Sequence, residues 1–69
     1  MHFQIVLSFN GEPVETFNSW VDVDNDFGVA AMMASLALFR NKDANNVKAT
    51  RLFKGGNPSD EHFFYGKKG

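Results

Sequence analysis

There is no cysteine among these 69 residues. Neither a disulfide framework nor a thiolate metal site can therefore supplement the core. No Lys or Arg precedes Arg40, although the chain holds seven in all. Residues 1–39 carry five acids and no base, and residues 40–69 carry seven bases and three acids, which sums to a net charge of −1. A chain so close to neutral has no global basic field of the kind that drives nucleic-acid binding. Long hydrophobic runs are missing too. The longest, Phe27 to Phe39, is interrupted by Gly28 and Ser35 and falls short of the roughly 20 residues that span a bilayer. The start, Met1 to Leu7, has no basic segment and no small-residue cleavage site, so it reads as a strand and not as a signal peptide. No membrane partner is expected, and the cytoplasm is the expected setting.

What is present is aromatic. Eight Phe, one Trp and one Tyr make 14% of the chain. A single domain over residues 1–69 is expected. A chain of this size buries only about 60% of its unfolded surface, so either its core is efficient or a partner completes it.

Phe3, Ile5, Leu7 and Phe9 alternate with His2, Gln4, Val6 and Ser8, the period-two pattern of a half-buried strand. Asn10-Gly11 follows; both residues tolerate positive φ, which makes the pair a strong hairpin signal. Pro13 must sit at a strand start or on an edge. The second strand, about Val14 to Val23, has two possible registers. A regular two-residue hairpin puts Val14, Thr16, Asn18 and Trp20 on the face of Phe3 and Ile5. A loop with one extra residue, or a bulge, puts Phe17, Val21 and Val23 there instead.

Asp22, Asp24 and Asp26 lead into a helix from about Phe27 to Arg40, with Asp24 or Asp26 as the expected cap. A third strand is expected over about Val47 to Lys54, near a sheet edge because Arg51 intrudes. Gly55 to Asp60 reads as a turn, and a short fourth strand as Glu61 to Tyr65. The order β-β-α-β-β predicts an α+β fold, an antiparallel sheet with the single helix on one face.

The helix carries the main functional signal. Val29, Met32, Met33, Leu36 and Phe39 gather on one side of a 100° wheel and are the expected core face. The other side is also apolar, with Phe27, Ala31, Ala34 and Leu38. No charge lies between Asp26 and Arg40. A helix apolar all round is buried all round, so Phe27, Ala31, Ala34 and Leu38 are expected to form a self-association face in a homodimer. Cover by the C-terminal segment, or by a different protein, are the other ways to bury it. Phe17 or Trp20, with Arg51, Phe64 and Tyr65, form the expected partner face. The same aromatic and basic residues of the C-terminal strands could instead stack on single-stranded nucleic acid.

Signals for chemistry are weak. The Asp22 to Gly28 stretch has Phe27 and Met33 where a calcium loop needs Gly and an acid. His2 and His62 lack a third metal ligand. Gly55-Gly56 lacks the phosphate-loop pattern. No serine has a nucleophile context. No catalytic group, cofactor or metal is expected.

In architecture, the Asn10-Gly11 hairpin, the Asp-led helix from about Phe27 and the Val47 strand resemble small phage-encoded inhibitor proteins. That resemblance implies a non-catalytic protein that works by occluding one host target. It carries no motif and transfers no functional residue.

Overall fold

The computed structural model describes residues 2–21 and 26–67. Strand β1 spans His2–Phe9, β2 Glu12–Trp20, helix α1 Asp26–Arg40, β3 Asn46–Leu52 and β4 Pro58–Gly66. All four strands form one antiparallel sheet in the order β2-β1-β3-β4. The helix lies across β1 and β3 on one face. This is the expected α+β arrangement, with β4 longer than its sequence suggests. No helix among the described residues is long and apolar enough to cross a membrane.

The first hairpin settles the register. Asn10 and Gly11 both adopt positive φ, at 51° and 87°, as a two-residue hairpin turn requires. Phe9 faces Glu12 and Ser8 faces Pro13, but Leu7 faces Glu15. Val14 is thus an extra residue, a bulge that switches the parity of everything after it. Phe17 comes opposite Ile5 and Ser19 opposite Phe3 on the helix side, while Trp20 comes opposite His2 on the other. Pro13 lies on β2, an edge strand, where its missing N–H costs nothing.

The third strand is central, not near an edge. Arg51 sits at its far end, where the side chain reaches past the sheet to Glu61 at 2.8 Å. One charged residue at a strand terminus does not make the strand peripheral. The expected cap Asp24 lies outside the described residues, and so does Val23; α1 begins at Asp26.

Phe3, Ile5, Leu7 and Val47 are fully buried between sheet and helix. Each contributes about 1.5–3 kcal/mol relative to exposure. The molecule measures 16 Å across its thinnest direction, one sheet and one helix deep. Phe63 packs against the inner core and Phe64 lies on the far side of the sheet. The C-terminal aromatics are spent on β4 and do not fold over the helix.

Candidate protein-contact surface

The helix turns its small side to the sheet. Ala30, Ala34 and Leu38 recur at the four-residue spacing of one helix face, and all three are buried. Phe27 is half-buried, its ring 5.3 Å from Phe3 and 6.3 Å from Phe63. Ala31 is half-buried on the flank. The expected self-association face is therefore the core face. Ala34 and Leu38 meet the sheet of their own chain, not another copy.

The physical reason is bulk. The sheet side of the core already holds Phe3, Ile5, Leu7, Val47 and Phe63. Close packing at interior density leaves little depth above those side chains. Alanines let the helix backbone settle near them, whereas a row of Met, Leu and Phe would hold it off. The bulky stripe expected in the core is accordingly displaced outward. Met32 is 58% exposed, Leu36 48% and Phe39 78%; Val29 and Met33 remain half-buried at its margin.

This outer face carries no charge between the helix ends. Its one polar neighbour, Ser35, donates its Oγ–H to the Ala31 carbonyl at 3.0 Å, a bond within the helix that leaves the surface apolar. Beside Phe39 runs a groove of about 450 Å³ lined by Ser35, Leu38, Phe39, Tyr65, Gly66 and Lys67. Lys67 Nζ closes on the Asn41 carbonyl at 2.6 Å. The contact surface thus continues from the helix on to the end of β4.

The expected partner face does not assemble. Phe17 and Tyr65 lie on the helix side of the sheet, through their pairing with Ile5 and Val47. Arg51 lies there too, its guanidinium 5.5 Å from the Phe27 ring centroid. Trp20 and Phe64 lie on the opposite face, on the two edge strands, with β1 and β3 between them. Trp20 packs edge-on against His2 at 4.5 Å, and Phe64 against His62 at 5.2 Å. Strict alternation along β4 sends Phe64 and Tyr65 to different faces, so five residues chosen for their chemistry are divided between two surfaces.

The basic residues divide as well. Arg51 pairs with Glu61, Lys48 sits over the Phe64 ring at 5.5 Å, and Lys67 is at the other end of the sheet beside Asn41. Lys68 lies outside the described residues. His2 and His62 sit on β1 and β4, which are not neighbours. No group of three or more His, Asp or Glu among the described residues could share a metal ion. The open sheet face does form a concavity of about 1020 Å³, lined by Gln4, Val6, Lys48, Thr50, His62 and Phe64 among others. Its lining mixes neutral polar groups with the rings of His62 and Phe64, the Lys48 ammonium and the Asp60 carboxylate.

Comparison with protein-family models, with curated proteins and with solved structures finds no match. The surface has to be read from its own geometry.

Proposed function

We propose that the protein is a non-catalytic protein-binding module, of the kind represented by small phage inhibitors, that acts by occluding a polypeptide partner through the outer face of α1. The observation that carries this reading is the open, uncharged face of Met32, Leu36 and Phe39. Depletion of charge at the centre and enrichment in Met and aromatic residues mark the cores of protein interfaces. Left in water, each of these side chains forgoes a share of the about 1.5–3 kcal/mol that full burial contributes. Phe39 projects furthest and stands beside the Tyr65 groove, the arrangement of an anchor next to a pocket. The reading takes the cytoplasm as its setting and needs no cofactor.

The alternative, single-stranded nucleic acid on the C-terminal strands, has less to rest on. It needs several cations tracking a row of stacked bases; Lys48 lies over the Phe64 ring, but Arg51 lies on the helix side of the sheet over Phe27 and the Lys67 ammonium turns to the Asn41 carbonyl.

A photo-reactive residue in place of Leu36 tests the reading, with Thr16 on the opposite, exposed sheet face as control. Irradiation in the cell that makes the protein is expected to yield polypeptide adducts from position 36 and few from position 16. Adducts from position 16 alone, or equal yields from both, would overturn it.

A further inference from the structure

We infer that the polypeptide partner lies beside α1 as an extended strand, added to the free edge of β4 between His62 and Gly66. The inference rests on the reading of the outer helix face as a contact surface, and it gives the form in which the partner reaches that surface.

The first support is the direction of the backbone. Strand β4 ends the sheet, and no described strand lies beyond it. The Lys67 N–H donates to the Asn45 carbonyl at 2.9 Å, one position past the pair Asn46–Gly66. Along an antiparallel ladder, hydrogen-bonded and non-hydrogen-bonded pairs alternate. Phe63 and Tyr65 therefore turn their N–H and C=O groups toward β3, opposite Ala49 and Val47. The first hairpin gives the same parity. Phe9 and Glu12 close its two-residue turn, so Ser8 and Val6 turn to β3, and their partners Asn46 and Lys48 turn to β1. His62, Phe64 and Gly66, opposite Thr50, Lys48 and Asn46, are left with their backbone groups aimed outward. No other described strand pairs with them. Alternate outward donors and acceptors are what an added strand needs.

The second support is the absence of protection. Sheet edges are guarded by charge, proline or a bulge. Strand β2 has all three at its start, in Glu12, Pro13, the Val14 bulge and Glu15. On β4 the proline and the acids are confined to Pro58, Asp60 and Glu61, and the register shift falls at that end too. From His62 to Gly66 the pairing is regular, with no Pro, Asp, Glu, Lys or Arg.

The third support is position. The edge of β2 from Thr16 to Trp20 is equally plain, but none of it borders the groove beside Phe39. On β4, Tyr65 and Gly66 line that groove together with Ser35, Leu38 and Phe39. Side chains of an added strand alternate between the two sheet faces. Those on the helix side stand next to Phe63 and Tyr65, and one of them enters the groove under Phe39. Backbone bonds to the edge and one apolar side chain in the groove then act together, the division of labour of strand addition. The partner segment is accordingly extended and uncharged along this stretch, with apolar side chains at alternate positions.

A ribosome-displayed library of random decapeptides supplies the probe. Enriched peptides are expected to be apolar at alternate positions. Their affinity is expected to fall about tenfold for Phe64→Pro, which deletes one outward N–H, and to stay near that of the parent for Phe64→Thr, which keeps it. Hydrogen exchange gives a readout that needs no variant. In the free protein the Phe63 and Tyr65 amides are expected to exchange more slowly than those of His62, Phe64 and Gly66, and bound peptide is expected to slow the latter three. Peptides that bind Phe64→Pro as tightly as Phe64→Thr and leave those three amides fast overturn the strand addition, as does a library that yields no binder. Peptides lost on Leu36→Glu but not on Phe64→Pro overturn it too, while leaving the helix face as the contact surface. A dimer in light scattering that Phe64→Pro dissolves, and that excludes peptide, overturns the separate partner in favour of β4 pairing between two copies. Adducts from position 36 judge the contact-face reading independently.

Discussion

Asn45 and Asn10 exchange two hydrogen bonds across 35 positions of sequence. Asn45 Nδ2 donates to Asn10 Oδ1 at 2.9 Å, and the Asn10 backbone N–H donates to Asn45 Oδ1 at 3.1 Å. The Asn45 backbone adds a donation to the Ser8 carbonyl and accepts from the Lys67 N–H, both at 2.9 Å. One residue before β3 thereby ties the first hairpin turn to the end of β4. Asn45→Ala removes both side-chain bonds and is expected to cost about 1–2 kcal/mol. Denaturant titration should show a lower midpoint at an unchanged slope. Asn45→Asp keeps the acceptor for Asn10 N–H but sets a carboxylate oxygen against the Asn10 side-chain Oδ1. It should fall at or below the alanine variant.

The bulge at Val14 makes an unusual deletion tolerable. With Val14 removed, Ser8 still faces Pro13 and Leu7 still faces Glu15, now without an extra residue between. Phe17 remains opposite Ile5. The deletion is expected to stay folded, within about 1 kcal/mol of the parent, because neither core nor register changes. Deleting Asn18, beyond Phe17, instead sets Trp20 opposite Phe3 on the helix side, or with loss of the bulge moves Phe17 to the outer face, and should destabilise the fold far more than the Val14 deletion. Thermal melts followed by circular dichroism distinguish the two. Comparable melts for both deletions would contradict the bulged register.

Where local pattern and packing agreed, the fold was legible. Phe3, Ile5 and Leu7 alternate, and the structure buries all three. Asn10-Gly11 turns as its tolerance of positive φ demands. The second strand was legible only as two alternatives, because a bulge leaves no residue signature of its own and Phe17 and Trp20 compete for the same face. The helix was legible as a helix and illegible as a surface. With no charge between Asp26 and Arg40, there is no polar side to mark the outside. The choice then falls to steric fit against Phe3, Leu7 and Phe63, which are distant in sequence. The Asn10–Asn45 pair was invisible for a related reason. An asparagine in a polar loop signals a turn, and its long-range partner depends on a strand order that residue pattern does not encode.

Arg51 contributes more through contact than through charge. It makes an ion pair with the exposed Glu61 and lies over the ring of Phe27. Glu61→Ala removes only a surface ion pair and is expected to cost under about 1 kcal/mol, less at high salt. Arg51→Ala also uncovers Phe27 and strips an aliphatic stem from the core rim, and should cost about 1–2 kcal/mol, largely independent of salt. Unfolding of both variants at low and at molar salt checks the contrast. Equal costs that vanish together in salt would reduce Arg51 to its charge.

Two leucines two residues apart, about 200° around the helix, distinguish the faces of α1 most sharply. Leu38 is buried under the helix and Leu36 is half exposed above it. Leu38→Glu removes a core side chain, at about 2–5 kcal/mol, and buries a carboxylate without a partner. A domain of this length has only about 3–10 kcal/mol of stability in total, so the variant is expected to be unfolded by circular dichroism. Leu36→Glu places the same charge in water and should leave monomer stability within about 0.5 kcal/mol of the parent. It should at the same time remove any association through the outer face. Ala34→Leu adds bulk where the helix backbone approaches the sheet, and overpacking there should cost about 1–3 kcal/mol. A folded Leu38→Glu beside an unfolded Leu36→Glu would mean that the helix presents its bulky side to the sheet. Phe27, Ala31, Ala34 and Leu38 would then be the surface left for a partner.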